Sequence, residues 1–205
     1  MDSQIRGTTT ELLGILAFQK RGFYCSIPFD GSCRYDFVVD INGKLLRIQS
    51  KSSSEYRDGS IAFSTSRQTT NTQRTVRYKY SEEDIDYFYS HYNGHDFLVP
   101  VSETGSGSKI LRTSKPKKGQ NSSINVATDY LLDNVLDSIL NDTPIEKFFD
   151  SYIVSENIET GEVLEWSEEK VGQVYGKRLR YIKECCRMGK NGYGCKWREK
   201  EFPTL

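Results

Sequence analysis

The sequence predicts an α/β protein, and three of its features support that fold class. Near the N-terminus, apolar residues recur at helical spacing, and several short runs rich in Phe, Tyr, Val and Ile follow them. Close to the C-terminus, a glycine separates two further amphipathic segments. The 205 residues allow one ordinary domain, or one with a small appendage. We place a boundary near Ser151, between a domain of residues 1–150 and a small helical module of residues 151–205.

The first predicted element is a helix over residues 8–21, and Gly22 is its stop signal. The apolar positions of this helix are Leu12, Ile15, Leu16 and Phe18. Glu11 has a structural interpretation, because Thr8 to Glu11 matches a capping box in which the glutamate only caps its own helix.

Strands and a second helical segment follow in order. The predicted strands cover residues 23–27, 35–41, 44–51 and 60–66, and then 85–92 and 96–101 on either side of an Asn93-Gly94 turn. A basic loop is expected over residues 104–123. The spacing of apolar residues over 125–149 predicts a helix, interrupted near Pro144.

Asn42-Gly43 predicts a tight hairpin, because a two-residue type I′ turn needs positive φ at both central positions. The register that follows places Asp36 opposite Gln49, with Lys51 two residues further along the same face. The other face carries apolar side chains and is expected to be core. A carboxylate opposite an amide and beside an ammonium group is unusual on an exposed sheet. We therefore treat this face as a candidate site, with a solvated polar face as the alternative.

Charge is distributed in blocks, although the 28 basic and 28 acidic residues cancel. Residues 44–79 contain eight Lys or Arg against two acids, and residues 170–200 contain ten against two. Such blocks are often solvated faces, but several basic strips alternating with acidic ones favour one basic surface for nucleic acid. Within the first block, the candidate phosphate contacts are Arg67, Arg74 and Arg77.

Composition excludes several other classes of function. The five cysteines contain no CxxC pair, so neither a disulfide framework nor a four-cysteine zinc site is expected. Two histidines are too few for a mechanism that needs several imidazoles. The sequence has no apolar run long enough to cross a membrane and no secretory signal, so we expect an intracellular protein in the cytoplasm or nucleoid.

The C-terminal module is predicted to be a helix, a turn and a helix over residues 167–189. Ser167 is the expected N-cap, and Gly176 separates the two helices. The outward face of the second helix is basic and aromatic. Its candidate DNA contacts are Arg178, Arg180, Tyr181 and Lys183. A basic tail that only aids folding or dimerisation is the alternative.

The hairpin and its flanks resemble the core of the PD-(D/E)XK nucleases, most closely the group I intron-encoded branch, which carries Gln where most relatives carry an acid. The matching segments are Tyr35-Asp36-Phe37-Val38-Val39-Asp40, Gly43-Lys44-Leu45-Leu46-Arg47 and Ile48-Gln49-Ser50-Lys51. The resemblance implies a restriction-endonuclease-like αβββαβ core. It also implies that Asp36 and the Ser50 carbonyl bind Mg²⁺ (or Mn²⁺), and that Gln49 is a weak ligand or orienter. Lys51 would lie near the attacking water or the phosphate, and Glu11 would assist from the helix.

Replacing the family's second acid by Gln49 removes one negative charge. Metal affinity should fall, and the number of ions, one or two, is left open.

Residues 154–199 resemble the NUMOD-type helix-turn-helix modules attached to intron-encoded nucleases. That likeness implies that the second helix enters the major groove.

Together these features predict a metal-dependent, site-specific endonuclease of double-stranded DNA, of the homing type. The resemblance also implies a homo-oligomer, either a dimer or a tetramer. Two alternatives are a Holliday-junction or repair nuclease that recognises shape, and a DNA-binding regulator that does not cleave, which the glutamine at position 49 would favour.

Overall fold

The fold is taken from a computed structural model that describes residues 2–57, 59–70, 75–105, 107–115, 124–150 and 152–205. The chain divides into two compact units. The first contains residues 1–145 with 204–205, and the second contains residues 146–203. Ser151, at the predicted boundary, lies outside the described residues.

The first unit is an α/β domain, as predicted. Its elements are α1 (Ser3–Gln19), β1 (Tyr24–Ser26), β2 (Phe37–Ile41), β3 (Lys44–Ser50), β4 (Ser54–Tyr56), β5 (Ser60–Ser64), β6 (Ser66–Thr70), β7 (Thr75–Lys79), β8 (Tyr87–Tyr92), β9 (His95–Pro100), β10 (Ser108–Arg112) and α2 (Leu132–Asn141). The main sheet has the order β1-β2-β3-β8-β9, in which β3 and β8 are parallel. A second sheet, β10-β5-β4, and a separate β6–β7 ribbon accompany it.

The predicted hairpin register is confirmed. Asn42 and Gly43 have φ values of 53° and 90°, and Phe37 pairs with Ile48. The apolar face of this hairpin is buried against α1 and α2. Asp40 accepts a hydrogen bond from the Gly43 amide at 2.6 Å, which makes it a turn residue.

Helix α1 differs from its prediction in both length and buried face. It begins at Ser3, and the Asp2 side chain caps it by accepting from the Gln4 amide. Because Thr8 to Glu11 lie inside the helix, the capping-box interpretation of Glu11 is wrong. Leu12 and Leu16 are 61% and 45% exposed. The buried residues are Thr10, Gly14, Ala17 and Phe18.

Several elements were absent from the sequence prediction. Strands β4, β6, β7 and β10 are polar and short, and β10 lies within the stretch expected to be a basic loop. The long predicted helix is reduced to α2, which ends at Asp142 in a left-handed conformation with φ of 51°. Short 3₁₀ turns occupy Ala127–Tyr130 and Phe148–Asp150.

Among the described residues of the second unit, 146–150 and 152–203, two helices lie where the sequence predicts them, together with four strands that it does not predict. These elements are β11 (Ile153–Asn157), β12 (Val163–Trp166), α3 (Glu168–Tyr175), α4 (Leu179–Met188), β13 (Asn191–Gly192) and β14 (Cys195–Glu199). The sheet order is β12-β11-β14-β13. Trp197 on β14 packs with the buried residues of both helices. Within the described part of the chain, no helix is long and apolar enough to cross a membrane.

Candidate active site

The candidate site lies where β3 ends. Asp36 immediately precedes β2, and its amide donates to the Ile48 carbonyl at 2.8 Å, which fixes it beside the end of β3. Gln49 and Ser50 are the last residues of β3 and pair with β8. The Lys51 amide donates to the Tyr89 carbonyl at 2.9 Å. Backbone hydrogen bonds on both sides therefore hold these residues in place.

One carboxylate oxygen is the centre of the hydrogen-bond network. Asp36 Oδ2 accepts from the Ser50 amide at 2.7 Å and from Gln49 Nε2 at 2.5 Å. Gln49 Nε2 also lies 3.3 Å from the Ser50 carbonyl oxygen. The side-chain nitrogen of Gln49 thus contacts one oxygen of each group predicted to bind the metal, the Asp36 carboxylate and the Ser50 carbonyl.

Burial and mutual charge perturb three ionisable groups here. Burial raises the pKa of Asp36, opposed by the Ser50 amide hydrogen bond and the charge of Lys51. Burial also lowers the pKa of Lys51, while the Asp36 charge acts to raise it. The pKa of Glu11 is raised by burial and by the charge of Asp36. Glu11, Asp36 and Lys51 therefore form one electrostatic cluster, a pattern that is enriched at functional sites.

Helix α1 is connected to this cluster by a direct contact. The hydroxyls of Thr10 and Ser52 lie 2.8 Å apart, one residue from Glu11 and Lys51 respectively. The structure thereby brings together Glu11, Asp36, Gln49, Ser50 and Lys51, as the resemblance implied. Their catalytic and metal-binding roles stay predictions.

Tyr80 belongs to the site but was not predicted. Its hydroxyl donates to Gln49 Oε1 at 3.0 Å, and its ring centroid lies 5.2 Å from Lys51 Nζ. The side chain is only 5% exposed, and burial raises its pKa to about 12. The alternation of Val76, Tyr78 and Tyr80 with basic residues was the available sequence signal for β7.

A pocket of about 380 Å³ adjoins Tyr80. It is lined by Arg34, Arg67, Tyr78, Lys79, Tyr80 and Asp84. Arg34 forms an ion pair with Asp84. Arg67 pairs with Tyr78 across the β6–β7 ribbon, and its charge acts on Lys51. Among the predicted phosphate contacts, Arg67 therefore lies near the site.

The other two predicted contacts in this strip are placed differently. Arg77 is opposite Gln68, one pair along the ribbon from Arg67 and Tyr78, so it lies on the other face. Arg74 lies outside the described residues.

The ligand atoms present fit a hard divalent cation. They are the oxygens of the Asp36 and Glu11 carboxylates and of the Ser50 carbonyl, and Mg²⁺ is commonly held by one or two carboxylates together with substrate phosphate. The Ser50 hydroxyl is buried without a hydrogen-bond partner among the described residues. No cluster of three or more His, Cys, Asp or Glu occurs in the described ranges, so an all-protein cage is not formed there.

In the second unit, the candidate contacts on α4 and in the turn that precedes it have different environments. The Arg178 guanidinium lies 5.2 Å from the ring centroid of Tyr193, against which Tyr181 also packs. Arg180 is exposed, whereas the Lys183 ammonium is 2.5 Å from Glu168. Arg178, Arg180 and Tyr181 therefore present the more accessible part of this face.

Comparison with solved structures agrees with this fold. A bacterial homing endonuclease, I-Ssp6803I, is similar to this chain with a TM-score of 0.56 and 21% sequence identity. The similarity covers 69% of this chain and 95% of that chain, and at this identity it bears on the fold alone. Comparison with curated proteins finds no match. The family model described as PD-(D/E)XK endonuclease matches residues 1–133, well over half of the 205 residues, and the chain therefore belongs to that family.

Proposed function

We propose that this nuclease is a metal-dependent, site-specific endonuclease that hydrolyses phosphodiester bonds of double-stranded DNA. The observation that carries the proposal is the convergence of Asp36, the Ser50 carbonyl and Lys51 at the end of β3. A carboxylate and a carbonyl bridged by the Gln49 side chain offer a cation site, and an ammonium group within their electrostatic influence offers a positive charge for a phosphate.

Asp36, the Ser50 carbonyl and Glu11 would hold Mg²⁺ or Mn²⁺. When bound, such an ion polarises a phosphate and lowers the pKa of a bound water. Lys51 stabilises negative charge that gathers on the phosphate during attack. Its ring contact with Tyr80 and its backbone bond to Tyr89 restrict where the ammonium can lie.

The DNA would be held by two kinds of contact. Arg67 and the adjoining pocket offer cationic and hydroxyl groups to phosphates next to the cleaved bond. In the second unit, Arg178, Arg180 and Tyr181 offer base-edge and phosphate contacts, which supports a reading module. Phosphate contacts position the protein, and base contacts give specificity.

We extend the proposal to a homing role by analogy with the bacterial homing endonuclease whose fold is similar. Two Asp36 sites in one assembly would address opposite strands, so we propose a dimer or tetramer in solution. Light scattering coupled to size exclusion should give a mass that is a multiple of 23.5 kDa. A monomeric mass both with and without DNA would contradict the oligomer.

A cleavage assay on random-sequence DNA, with Mg²⁺ or with EDTA, tests the activity. We expect cuts at defined sites only with Mg²⁺, and Asp36→Asn or Lys51→Met should lower the rate at least about 100-fold while DNA binding persists. Asp40→Asn is the matched control, because Asp40 serves the turn. Absence of Mg²⁺-dependent cleavage on any DNA would refute the enzyme. Preferential cutting of four-way junctions over linear duplex would identify a junction nuclease instead.

A further inference from the structure

The Gln49 side-chain amide occupies the space between the two oxygens proposed to bind the cation. Its Nε2 atom lies 2.5 Å from Asp36 Oδ2 and 3.3 Å from the Ser50 carbonyl oxygen. Its Oε1 atom points the other way and accepts from the Tyr80 hydroxyl at 3.0 Å. The amide is 7% exposed, so its orientation is set by these three contacts.

This orientation excludes an ion that is bound by both Asp36 Oδ2 and the Ser50 carbonyl. Mg²⁺ takes oxygen ligands at about 2.1 Å, so an ion on both oxygens would meet the NH₂ group that already spans them. The NH₂ hydrogens carry partial positive charge, and they would face the ion. In the orientation described, Gln49 therefore acts as an internal substitute for the cation and not as its ligand.

Turning the amide by half a revolution about its last side-chain bond removes the conflict without repacking. The NH₂ group and the oxygen exchange places, and the volume of the side chain is unchanged. This terminal torsion of glutamine is broad and roughly two-fold, so the turn has a low intrinsic cost. Gln49 Oε1 would then face the ion.

The Tyr80 hydroxyl is a suitable partner for both orientations. A phenolic hydroxyl both donates and accepts, so it can donate to Oε1 in one orientation and accept from Nε2 in the other. Its ring is fixed by an edge-to-face contact with Phe88, whose centroid is 5.4 Å away. The hydroxyl therefore keeps its place while the amide turns.

We propose that the Gln49 amide is a two-position element of the metal site, with Tyr80 as its positioning residue. When no ion is bound, the NH₂ group bridges Asp36 and the Ser50 carbonyl; when an ion binds, the amide turns and presents Oε1. The proposal rests on the proposed metal-binding role of Asp36 and Ser50. A glutamate in this place could not serve both states, because it would face the Asp36 carboxylate whenever the site is empty.

Side-chain NH₂ signals in a ¹H–¹⁵N spectrum of the full-length, metal-free protein provide the direct test. The Gln49 pair is assigned by its loss in Gln49→Glu. The proton donated to Asp36 should resonate downfield of ordinary glutamine protons, and Mg²⁺ should move it upfield in a saturable way. Mg²⁺ binding is followed separately by calorimetry. Binding with unchanged Gln49 signals would overturn the two-position element alone, whereas absence of any binding would overturn the proposed metal site as well.

Variants test the energetic side of the proposal. Gln49→Glu should bind Mn²⁺ at least about tenfold more tightly and melt at a lower temperature in EDTA, with Mg²⁺ restoring the loss. Gln19→Glu adds the same charge at an exposed position of α1 and should leave the Mn²⁺ affinity within about twofold. Equal affinity of Gln49→Glu and the wild type would contradict the proposal.

The Tyr80→Phe variant tests whether the Tyr80 hydroxyl binds the Gln49 amide in both of its orientations or only in the metal-free one. Loss of one hydrogen bond from each state should lower the melting temperature and leave the Mn²⁺ affinity within about threefold. An affinity gain of about tenfold or more would mean that the hydroxyl holds only the empty orientation, and the positioning role would be wrong.

Discussion

At the scale of single residues, the pair Arg47–Asp86 connects β3 to the segment that enters β8. The Arg47 side chain and backbone amide together make three hydrogen bonds to the Asp86 carboxylate, of 2.7 to 3.1 Å. Burial raises the pKa of Asp86, but these hydrogen bonds outweigh it, so the pKa lies below its usual value. A depressed carboxyl pKa stabilises the fold wherever the group would be ionised in the unfolded chain.

The contribution of Asp86 should therefore be present above its ordinary pKa of 3.8 and be lost as the pH falls below it. Asp86→Asn should lower the free energy of unfolding at pH 7 and make it less dependent on pH between neutrality and about pH 3. Urea denaturation at a series of pH values measures this. If the free energy of unfolding varies with pH in the same way in the variant and the wild type, Asp86 does not contribute the pH-dependent stability. Asp142→Asn, at an exposed helix end, is the control.

Residues of the candidate site differ in how far sequence alone predicts them. Asp36, Gln49 and Lys51 follow from one local rule, since the Asn42-Gly43 turn fixes which side chains share a face. Tyr80 does not, because it reaches Gln49 through a crossover whose path no local pattern specifies. The assignment of Glu11 to the candidate site depended on the family resemblance, because the neighbouring residues 8–10 suggested a helix capping box instead.

At the scale of elements, Gly14 sets the distance between α1 and the sheet. A methyl group at this position would lie 2.9 Å from Tyr89 Cδ1 and 3.1 Å from Phe37 Cε1, both in buried rings. Small residues on the inner face let the helix backbone approach the sheet, which leaves Leu12 and Leu16 outside. Apolar periodicity identified Phe18 and Ile15, which pack in the core, but it also selected the exposed Leu12 and Leu16, because it cannot register close packing. Strand β10 escaped prediction because its partner, β5, is distant in sequence.

Gly14→Ala should lower the free energy of unfolding by about 1–3 kcal/mol, because the added methyl overpacks two fixed rings. It should also slow cleavage, since Glu11 is one turn earlier on the displaced helix. Gly7→Ala is the matched control within α1, where a methyl group meets nothing within 4 Å. In that control, the free energy of unfolding should rise by up to about 1 kcal/mol, because Ala has a higher helix propensity than Gly. Equal stabilisation by both changes would show that α1 is not closely packed at Gly14.

At the scale of the whole molecule, a net charge of zero is the sum of basic and acidic blocks that alternate along the sequence. The first unit places Arg67 beside the candidate site, and the second leaves Arg180 exposed on α4. Acidic residues form separate blocks in the sequence, for example along residues 156–169. Neutrality is therefore compatible with DNA binding that depends on where the charges lie.

Two substitutions at Arg180 test whether this side chain contacts a DNA phosphate or a base edge. Arg180→Ala should weaken DNA binding, and a phosphate role predicts that the slope of log affinity against log salt falls by about 0.9. Arg180→Lys keeps the charge, so it should preserve that slope, but it should lose discrimination between target and non-target DNA if the guanidinium reads a base edge. Filter binding over a salt series measures both quantities. Unchanged affinity and discrimination in both variants would exclude α4 from the interface.

The parallel pairing of β3 with β8 makes residues 51–86 a crossover, and that crossover carries the β6–β7 ribbon. Parallel strands require a connection of a dozen residues or more, and each doubling of its length costs only about 0.6 kcal/mol in closure entropy. The ribbon can therefore be lengthened, shortened or exchanged while the register of the main sheet stays the same. The β6–β7 ribbon could therefore change in evolution, or be replaced by engineering, without moving Asp36 or Lys51. Such a change would alter the surface next to the candidate site.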